Sequence, residues 1–564
     1  MATLVDTWFS SHRARLQRAV EACAQRSAWT PFIESPSGTL HPDGAKAAGQ
    51  AWFDATLGTS FPLTMPGEIG RTGAEVSPYT GEPLGVDYPA VDPDALMRAA
   101  KAALPSWRDA GVQARVGVCM EILDRLAADV FANAFATMHT AGQGFMMAFA
   151  GSGANSLDRG LEGLAYAYKA MRDVPEGAVF ERRFGGAPVR LRKRYRLIPR
   201  GVAVVISCGS YPAWNAYPAL FANLATANPV VLKPHPECIL PMARAVQIAR
   251  ATLEEAGFDP NVVTLAADTR ASPITKDLLL HESTAIIDFT GSQAFGAWIE
   301  THCTAADVYT ETAGCNAVVV ESAVALDPVV DAIAQSLCLF SAQMCTAAQN
   351  IFVPRDGVRV GEERVSPAAF SEALVGAIDR MLADPQHAAG ICGALQTDAI
   401  NDTLRRLADH PGVVRASVPY AHPAYPNART ATPLVIRASA PDSVYQQEHF
   451  GPVGFVIEAD SREQALEHAS ADAQQFGSIA NYAYSVDPRF CAAIEDTFAS
   501  RGSSVGINLL GQRPINFTAA FSDYHVTGLN PAGNACLTDL AFVTRRFRIV
   551  QSKTEEPCPA STTS

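Results

Sequence analysis

Short runs of branched apolar residues alternate with helical patterns between Gly201 and Val320. The runs that predict buried strands are Val202–Ile206, Pro229–Lys233, Val262–Leu265, Ala285–Phe289 and Ala317–Val320. Continuous apolar runs of this length are typical of parallel strands that are covered on both faces. Helical patterns separate the first three runs: apolar positions of Met242–Ala256 recur at helical spacing, and Gly257 is placed to end that helix. This alternation predicts a doubly wound α/β domain.

The segment before this domain predicts a β-hairpin, in which Gly185-Gly186 joins Val179–Phe184 to Val189–Leu197. Arginines alternate with apolar residues along the second strand. Such a strand is compatible with a nucleic-acid-binding surface, but a strand with one solvent-facing or subunit-facing side is the interpretation that we favour.

The two ends of the chain differ in character. Residues 1–178 predict mainly helices, for example Pro93–Leu104 and Arg115–Ala136. The polar residues Thr554–Ser564 predict a disordered tail.

The composition is that of an ordinary globular protein, with 564 residues, 48% of them hydrophobic and 18% charged. This length predicts roughly three to four domain-sized units. The net charge of −13 argues against a nucleic-acid partner. No apolar run approaches the ~18 residues of a membrane span, and the first residues lack a signal-peptide pattern. We therefore expect a cytoplasmic protein with no membrane partner.

The cysteines predict buried thiols rather than a metal site. None of the 12 cysteines forms a CxxC pair, and none has a spacing to histidine that suits zinc. We therefore expect no metal, and a cysteine with a chemical role must be justified by its surroundings.

Cys345, which ends the segment 340–345, has such surroundings, because Glu311 precedes it by 34 positions (345 − 311). A cysteine that attacks a carbonyl and a glutamate that later activates water make a complete covalent cycle. The small and polar residues around Cys345 suit a loop that enters a helix, whose N-terminus would favour the thiolate. Taken singly, the cysteine would be structural and the glutamate a surface residue.

Five ordered segments resemble motifs of the aldehyde dehydrogenase superfamily. They are Val230–Pro234, Asp288–Ser292, the segment around Glu311, the segment around Cys345, and Glu448–Pro452. The resemblance implies an α/β fold with a Rossmann-type cofactor domain, an α/β catalytic domain and a β-hairpin oligomerisation arm. The implied segments are 1–177 (helices and first part of the cofactor domain), 178–198 (hairpin), 199–309 (cofactor domain), 310–537 (catalytic domain), 538–553 (oligomerisation strand) and 554–564 (tail).

The resemblance implies NAD(P)-dependent oxidation of an aldehyde to a carboxylic acid. Cys345 would form a thiohemiacetal and then a thioester, and Glu311 would activate the water that hydrolyses the thioester. Members that transfer the acyl group to coenzyme A generally lack this glutamate. A CoA-acylating dehydrogenase and a non-catalytic protein that retains the fold remain alternatives. Ala342 departs from the glycine that the family commonly has there.

The donor to the substrate oxygen is the largest departure from the family, which uses an asparagine. A gapless register, which keeps the 23 residues to Lys233 (233 − 210), places Ser210 there. The register that matches Trp214-Asn215 needs a deletion of five residues and places Asn215 there. We favour Ser210, since its hydroxyl can donate one hydrogen bond.

The resemblance also implies the cofactor contacts. Lys233 would donate to the adenosine ribose or a 2′-phosphate, with His235 as an added partner. Pro236 stands where many NAD-dependent members carry a glutamate, so we expect NADP, with NAD possible; Glu237 is the counter-argument. The other implied contacts are Gly291 and Ser292 to the pyrophosphate, before the predicted helix Gln293–Thr301, and Glu448 and Phe450 to the nicotinamide ribose and ring.

The N-terminal part resembles the PaaN-type branch of the superfamily in Gly73–Pro78, Pro105–Gly111, His139–Met147 and Asp158–Glu162. That branch is linked to bacterial aerobic phenylacetate breakdown, which implies a CoA-linked semialdehyde as the substrate. In the superfamily the hairpin pairs with the C-terminal strand of a neighbouring subunit. Phe542–Val550 could supply that strand in a homodimer or homotetramer.

Overall fold

The structure, a computed structural model, describes residues 3–185, 187–312, 314–511 and 516–557. Residues 4–172 are mostly helical, as the sequence predicts. Their elements are α1 (Leu4–Gln25), α2 (Ala45–Thr56), β1 (Glu68–Thr72), β2 (Tyr88–Val91), α3 (Pro93–Asp109), α4 (Val112–Ala128), α5 (Val130–Ala141), α6 (Phe145–Phe149), a π-helical turn (Ala150–Ala154) and α7 (Asn155–Arg172).

The predicted helix Arg115–Ala136 is two helices, α4 and α5, which meet at Asp129. The Asp129 carboxylate accepts two hydrogen bonds from Arg244, at 2.6 and 3.0 Å. This pairing of charges ties the junction to the cofactor domain, a contact that helical periodicity cannot reveal.

The cofactor domain contains a five-stranded parallel sheet in the order β7-β6-β5-β8-β9. Its elements are β5 (Val202–Ile206), α8 (Pro212–Ala225), β6 (Val230–Lys233), α9 (Leu240–Glu255), a 3-10 turn (Pro260–Val262), β7 (Val263–Leu265), α10 (Thr275–Leu280), β8 (Thr284–Gly291), α11 (Gln293–His302) and β9 (Asp307–Thr312). The first four predicted strands and the helices that became α9 and α11 are confirmed.

The fifth predicted strand, Ala317–Val320, also forms, and it belongs to the second sheet, within the segment 310–537 that was expected to be the catalytic domain. The fifth strand of the cofactor sheet is β9, which was missed because its residues are mostly polar: only Val308 and Tyr309 interrupt Asp307 and the run Thr310–Thr312. Its polar side chains are buried because residues 530–534 cover this edge: the Thr310 N–H donates to Asn534 Oδ1 at 2.8 Å.

The catalytic domain is built on a seven-stranded sheet in the order β15-β16-β17-β12-β10-β18-β19, parallel except for β15. Its elements are β10 (Ala317–Val320), β11 (Ser322–Ala323), α12 (Asp327–Cys338), a 3-10 turn (Leu339–Ala342), β12 (Asn350–Pro354), β13 (Val358–Val360), β14 (Glu363–Val365), α13 (Pro367–Leu382), α14 (Pro385–Cys392), α15 (Asp398–Ala408), β15 (Val413–Arg415), β16 (Leu434–Ser439), β17 (Val453–Ala459), α16 (Arg462–Phe476), β18 (Ala480–Tyr484), α17 (Pro488–Ser500) and β19 (Ser504–Ile507).

The predicted hairpin is confirmed as β3 (Gly177–Phe184) and β4 (Ala187–Pro199), which pair antiparallel; Gly186, in the predicted turn, lies outside the described residues. After α18 (Leu540–Thr544), β20 (Phe547–Glu556) pairs with β4. The expectation of a neighbouring subunit's strand was therefore wrong for this structure, since the chain's own C-terminal strand fills the place.

Two further corrections concern the C-terminal segment. The residues expected to begin a strand at Phe542 instead form α18, and β20 includes Thr554–Glu556 of the predicted tail. Residues 558–564 lie outside the described residues.

The C-terminal segment is anchored by a buried ion pair. The Arg546 guanidinium, fully buried, donates to both Asp288 carboxylate oxygens at 2.8 and 2.6 Å, and Asn223 contacts both groups. Breaking such a pair leaves an unpaired buried charge, at a cost of about 3–5 kcal/mol. This pair fixes the C-terminal segment to β8, next to the predicted cofactor site. In the described part of the chain, no helix is long and apolar enough to cross a bilayer.

Candidate active site

A cleft of about 1070 Å³ opens at the carboxyl ends of the cofactor-sheet strands, where they face the catalytic domain. Crevices at this edge are the usual ligand sites of α/β sheets. The structure brings all ten residues singled out from the sequence to this cleft: Ser210, Asn215, Lys233, His235, Gly291, Ser292, Glu311, Cys345, Glu448 and Phe450.

Cys345 lies in a turn between the 3-10 turn after α12 and strand β12. The expected helix after Cys345 was wrong, so no helix N-terminus favours its thiolate. The Asn316 side-chain amide holds the turn instead, donating to the carbonyls of Cys345 at 2.8 Å and Ala347 at 3.0 Å. Burial raises the pKa of the Cys345 thiol well above its usual value, and the nearby Glu311 carboxylate raises it further. Cys345 therefore rests as a protonated thiol.

The backbone before this turn is strained. Phe340, Ser341 and Ala342 have φ values of 49°, 49° and 51°, in the left-handed region that non-glycine residues rarely adopt. This conformation explains why a glycine suits position 342 and why the alanine here is a real departure. Strain of this kind persists only where surrounding contacts impose it; one such contact is the Ser341 hydroxyl donating to the Cys392 carbonyl at 3.1 Å.

Glu311 is fully buried near the end of β9. Asn215 Nδ2 donates to its Oε2 at 2.9 Å, and His525 Nε2 donates to its Oε1 at 2.8 Å. Burial acts to raise the pKa of Glu311, but His525 and the hydrogen bonds from His525, Cys345 and Asn215 outweigh it, so the pKa lies below its usual value. An ionised base therefore faces a protonated thiol.

His525 is the main site residue that the sequence did not reveal. Its Nε2 lies 3.8 Å from Cys345 Sγ as well as 2.8 Å from Glu311. The ring packs edge-on against Trp214 at 4.6 Å, and the Arg159 guanidinium lies 4.8 Å from that indole. His525 and Glu311 are 214 positions apart (525 − 311) and no family-like motif surrounds the histidine, so no local signal could have identified it.

Ser210 and Asn215 lie at the same end of the cleft but differ in the hydrogen bonds that they already make within the protein. The Asn215 amide is already bound to Glu311, and the Cys208 thiol lies 3.5 Å from Asn215 Oδ1. The Ser210 hydroxyl has the Cys208 sulfur at 4.0 Å, and its loop is held by Gln143, which donates to the Ser210 carbonyl at 2.6 Å. Ser210 therefore keeps a donor that is available to a substrate oxygen.

Lys233 ends β6 at the far side of the cleft. Its Nζ lies 2.7 Å from Asp268 Oδ1 and donates to the Pro234 carbonyl at 2.7 Å. Burial lowers the pKa of His235 to about 4, so this histidine is neutral at pH 7 and is a weaker phosphate partner than expected. Arg270, which pairs with Glu237 and lines the same end, is a cation that the sequence analysis missed.

The remaining cofactor candidates lie between these ends. Ser292 caps α11 by accepting from the Phe295 N–H at 3.4 Å, directly after Gly291. Burial raises the pKa of Glu448 to about 7. Ser207, which also lines the cleft, has a buried hydroxyl without a partner in the described part of the chain.

A nicotinamide dinucleotide, which the sequence resemblance implies, would be held by these groups. The α11 N-terminus would hold the pyrophosphate, Lys233 the adenosine ribose, and Glu448 with Phe450 the nicotinamide end. When bound, the nicotinamide supplies a hydride acceptor.

Comparison with known proteins agrees with this geometry. The sequence profile of the Aldehyde dehydrogenase family matches residues 67–508, so the chain belongs to the aldehyde dehydrogenase family. It is similar to an NAD-dependent aldehyde dehydrogenase from Burkholderia multivorans, with 43% sequence identity. The match covers 99% of this chain and 100% of that chain, and the crystal structure superposes with a TM-score of 0.96.

Two further proteins show how widely the similarity extends. N-succinylglutamate 5-semialdehyde dehydrogenase of Caulobacter sp. (strain K31) is 27% identical over 72% of this chain and 80% of its own length. An NADP-dependent glyceraldehyde-3-phosphate dehydrogenase from Bacillus halodurans C-125 shares the fold, with 18% sequence identity and a TM-score of 0.67. The match covers 86% of this chain and 96% of that chain. The expected fold class is confirmed.

Ser210→Ala should slow the pre-steady-state burst of reduced cofactor by at least about tenfold, because a lost oxyanion donor weakens acylation. Asn215→Ala should slow the burst much less and instead move the acid limb of the kcat/KM pH profile upward, because Glu311 loses a donor. Stopped-flow absorbance at 340 nm measures the burst. The opposite ranking of the two variants would assign the oxyanion to Asn215, and no effect from either would leave it to backbone groups alone.

Proposed function

We propose that this chain oxidises an aldehyde to a free carboxylic acid through a Cys345 thiohemiacetal and thioester. The observation that carries the proposal is the buried, ionised Glu311 carboxylate in contact with the Cys345 thiol. A covalent cycle of this kind needs both a nucleophile and a base that survives burial.

The residues act in the following order. Glu311 accepts the thiol proton, and the Cys345 sulfur forms a bond to the aldehyde carbon. The Ser210 hydroxyl and the Cys345 backbone N–H stabilise the resulting oxyanion. A nicotinamide held in the cleft would accept the hydride as the carbon is oxidised to a thioester. Glu311 releases the thiol proton to solvent and, ionised again, accepts a proton from water as the water oxygen attacks. The C–S bond then breaks, its electron pair stays on sulfur, and the carboxylic acid leaves.

The state of Glu311 also favours hydrolysis of the thioester over the two alternatives, which are transfer of the acyl group to coenzyme A and a non-catalytic protein that retains the fold. Transfer to coenzyme A requires no base for water, whereas this carboxylate is held ionised by two side-chain donors, Asn215 and His525. A non-catalytic protein would have no need to bury a carboxylate beside a cysteine, since each such burial costs free energy.

We propose a CoA-linked semialdehyde of phenylacetate breakdown as the substrate. The substrate end of the cleft supports this class because its wall includes Met147, Tyr211, Met344 and Phe517. The Tyr211 hydroxyl contacts the two methionine sulfurs at 3.0 and 3.2 Å. Met147 belongs to the N-terminal segment that resembles the PaaN-type branch.

We propose that the cofactor is NADP in preference to NAD. Pro236 lines the adenosine end without a carboxylate, and the exposed Arg270 can pair with a 2′-phosphate. Glu237 and the NAD-dependent name of the Burkholderia protein argue the other way. The preference therefore depends on whether Arg270 leaves Glu237 for the phosphate.

We propose a cytoplasmic homodimer or homotetramer that associates through the hairpin sheet. Val179, Phe184, Ile549 and Val550 are apolar and more than half exposed on that sheet. Exposed apolar residues grouped on one sheet are typical of protein interfaces.

Cys345→Ala should abolish aldehyde oxidation and ester hydrolysis while cofactor binding persists, because only the nucleophile is removed. Steady-state rates and cofactor-quenched tryptophan fluorescence measure the two properties. Cys303→Ala, at a buried cysteine outside the cleft, is the matched control and should remain active. Substantial oxidation by the Cys345 variant would exclude the mechanism.

Glu311→Gln should complete roughly one turnover and then stall, because reduction of the cofactor precedes hydrolysis. Any remaining burst is slowed, since the same residue deprotonates the thiol. Rapid-quench mass spectrometry should find the acyl group on Cys345. Unchanged steady-state turnover would contradict the role of Glu311.

The ratio of kcat/KM for NADP to that for NAD should exceed one and should fall in Arg270→Ala, since the arginine pairs with a 2′-phosphate that NAD lacks. Arg405→Ala, at an exposed arginine outside the cleft, should leave the ratio unchanged. A clear NAD preference in the unmodified protein would overturn the cofactor assignment.

A further inference from the structure

His525 occupies the space between the base and the nucleophile. Its Nε2 is 2.8 Å from Glu311 Oε1 and 3.8 Å from Cys345 Sγ, and its side chain is 1% exposed. The ligand-type atoms of the three residues all lie within 4.8 Å of one another. One nitrogen of one histidine therefore addresses both reacting groups.

The partner at 2.8 Å fixes the position of the proton. An ionised carboxylate only accepts hydrogen bonds, so His525 Nε2 must carry hydrogen. Both the neutral Nε2–H tautomer and the imidazolium provide this donor. The ring packs edge-on against Trp214, with 4.6 Å between the ring centroids, and this contact orients the N–H towards the pair.

We propose that His525 is a catalytic residue, whose Nε2–H stabilises whichever of Glu311 and Cys345 bears the negative charge. When Glu311 takes the thiol proton, the S–H bond breaks, its electron pair stays on sulfur, and an O–H bond forms. The negative charge moves from carboxylate to sulfur, and the N–H at 3.8 Å can follow it, since sulfur accepts hydrogen bonds at this range. Neither the proton count nor the net charge changes.

The surroundings make such a donor necessary. Burial opposes a charge on either residue, and the other titratable groups that act on the pair do not favour the thiolate. Those groups are Cys208, Glu448, Tyr211 and Tyr482. The Asn215 amide nitrogen donates to the other Glu311 oxygen, Oε2, so it favours the carboxylate and not the thiolate. His525 is the group in contact with both atoms.

The test measures the Cys345 thiolate directly. This role rests on the proposed function, but alkylation needs neither aldehyde nor cofactor, so it decides the role of His525 even if the oxidation assay fails. Iodoacetamide is added from pH 5 to 10, and the modified Cys345 peptide is quantified by mass spectrometry in the unmodified protein, His525→Leu and His525→Gln.

His525→Leu should lower the alkylation rate at pH 7 by at least about tenfold, since a hydrogen bond to a charged group is lost, and should move the midpoint of the rate to higher pH. His525→Gln, which keeps an N–H donor, should recover most of the rate. His410→Gln, at a histidine outside the cleft, controls for general effects of losing an imidazole. Thermal unfolding checks that each variant is folded.

A folded His525→Leu variant with the rate and pH midpoint of the unmodified protein would overturn the proposal. Equal losses in His525→Leu and His525→Gln, with both variants folded, would also overturn it, because they would show that the ring acts only by packing. Absence of aldehyde oxidation in the unmodified protein, with the alkylation pattern as expected, would reject the proposed function and leave the role of His525 intact.

Discussion

Glu311 is a carboxylate with no exposed surface, and the site depends on keeping it charged. Burial alone would neutralise it, because removing a carboxylate from water costs several kcal/mol unless donors replace the water. Here Asn215 and His525 each donate to a different oxygen, at 2.9 and 2.8 Å. A neutral acid at this position could take a proton neither from the Cys345 thiol nor from water. The chemistry that we propose for the cleft therefore depends on the balance between the burial of Glu311, which favours the neutral acid, and its hydrogen bonds, which favour the carboxylate.

That balance requires distant parts of the chain to be fixed together. Glu311 comes from the edge strand of the cofactor sheet, Asn215 from the first turn of α8, and His525 from the segment after the catalytic sheet. Residues 530–534 cover β9, and Arg546 fixes the C-terminal segment to Asp288. The cofactor and catalytic domains are thus joined around the reacting groups by buried polar contacts rather than by apolar packing alone.

The elements of the cofactor domain were predictable because the pattern that indicates each one is local, whereas the catalytic domain was expected only from the resemblance to a family. The apolar runs of β5 and β6 and the helical period of α9 report burial directly. β9 was missed because buried polar residues look like surface residues until their partners are known. The same limit explains why His525 escaped notice and why the sequence could not show that Asn215 was already engaged. A helix was expected after Cys345, but the chain forms a turn there. The Asn316 side chain, just before β10, donates to the carbonyls of that turn. No local pattern shows, either, that the C-terminal strand β20 pairs with β4 of its own chain rather than with a neighbouring subunit.

The proposed function requires water, activated by Glu311, to release the product from Cys345. The most direct test follows the acyl group on the Cys345 peptide by rapid-quench mass spectrometry during a single turnover, with and without coenzyme A. We expect an acyl–Cys345 adduct that decays to a free carboxylic acid at a rate independent of added coenzyme A. An adduct that decays only when coenzyme A is added, or no adduct on Cys345 at all, would contradict it.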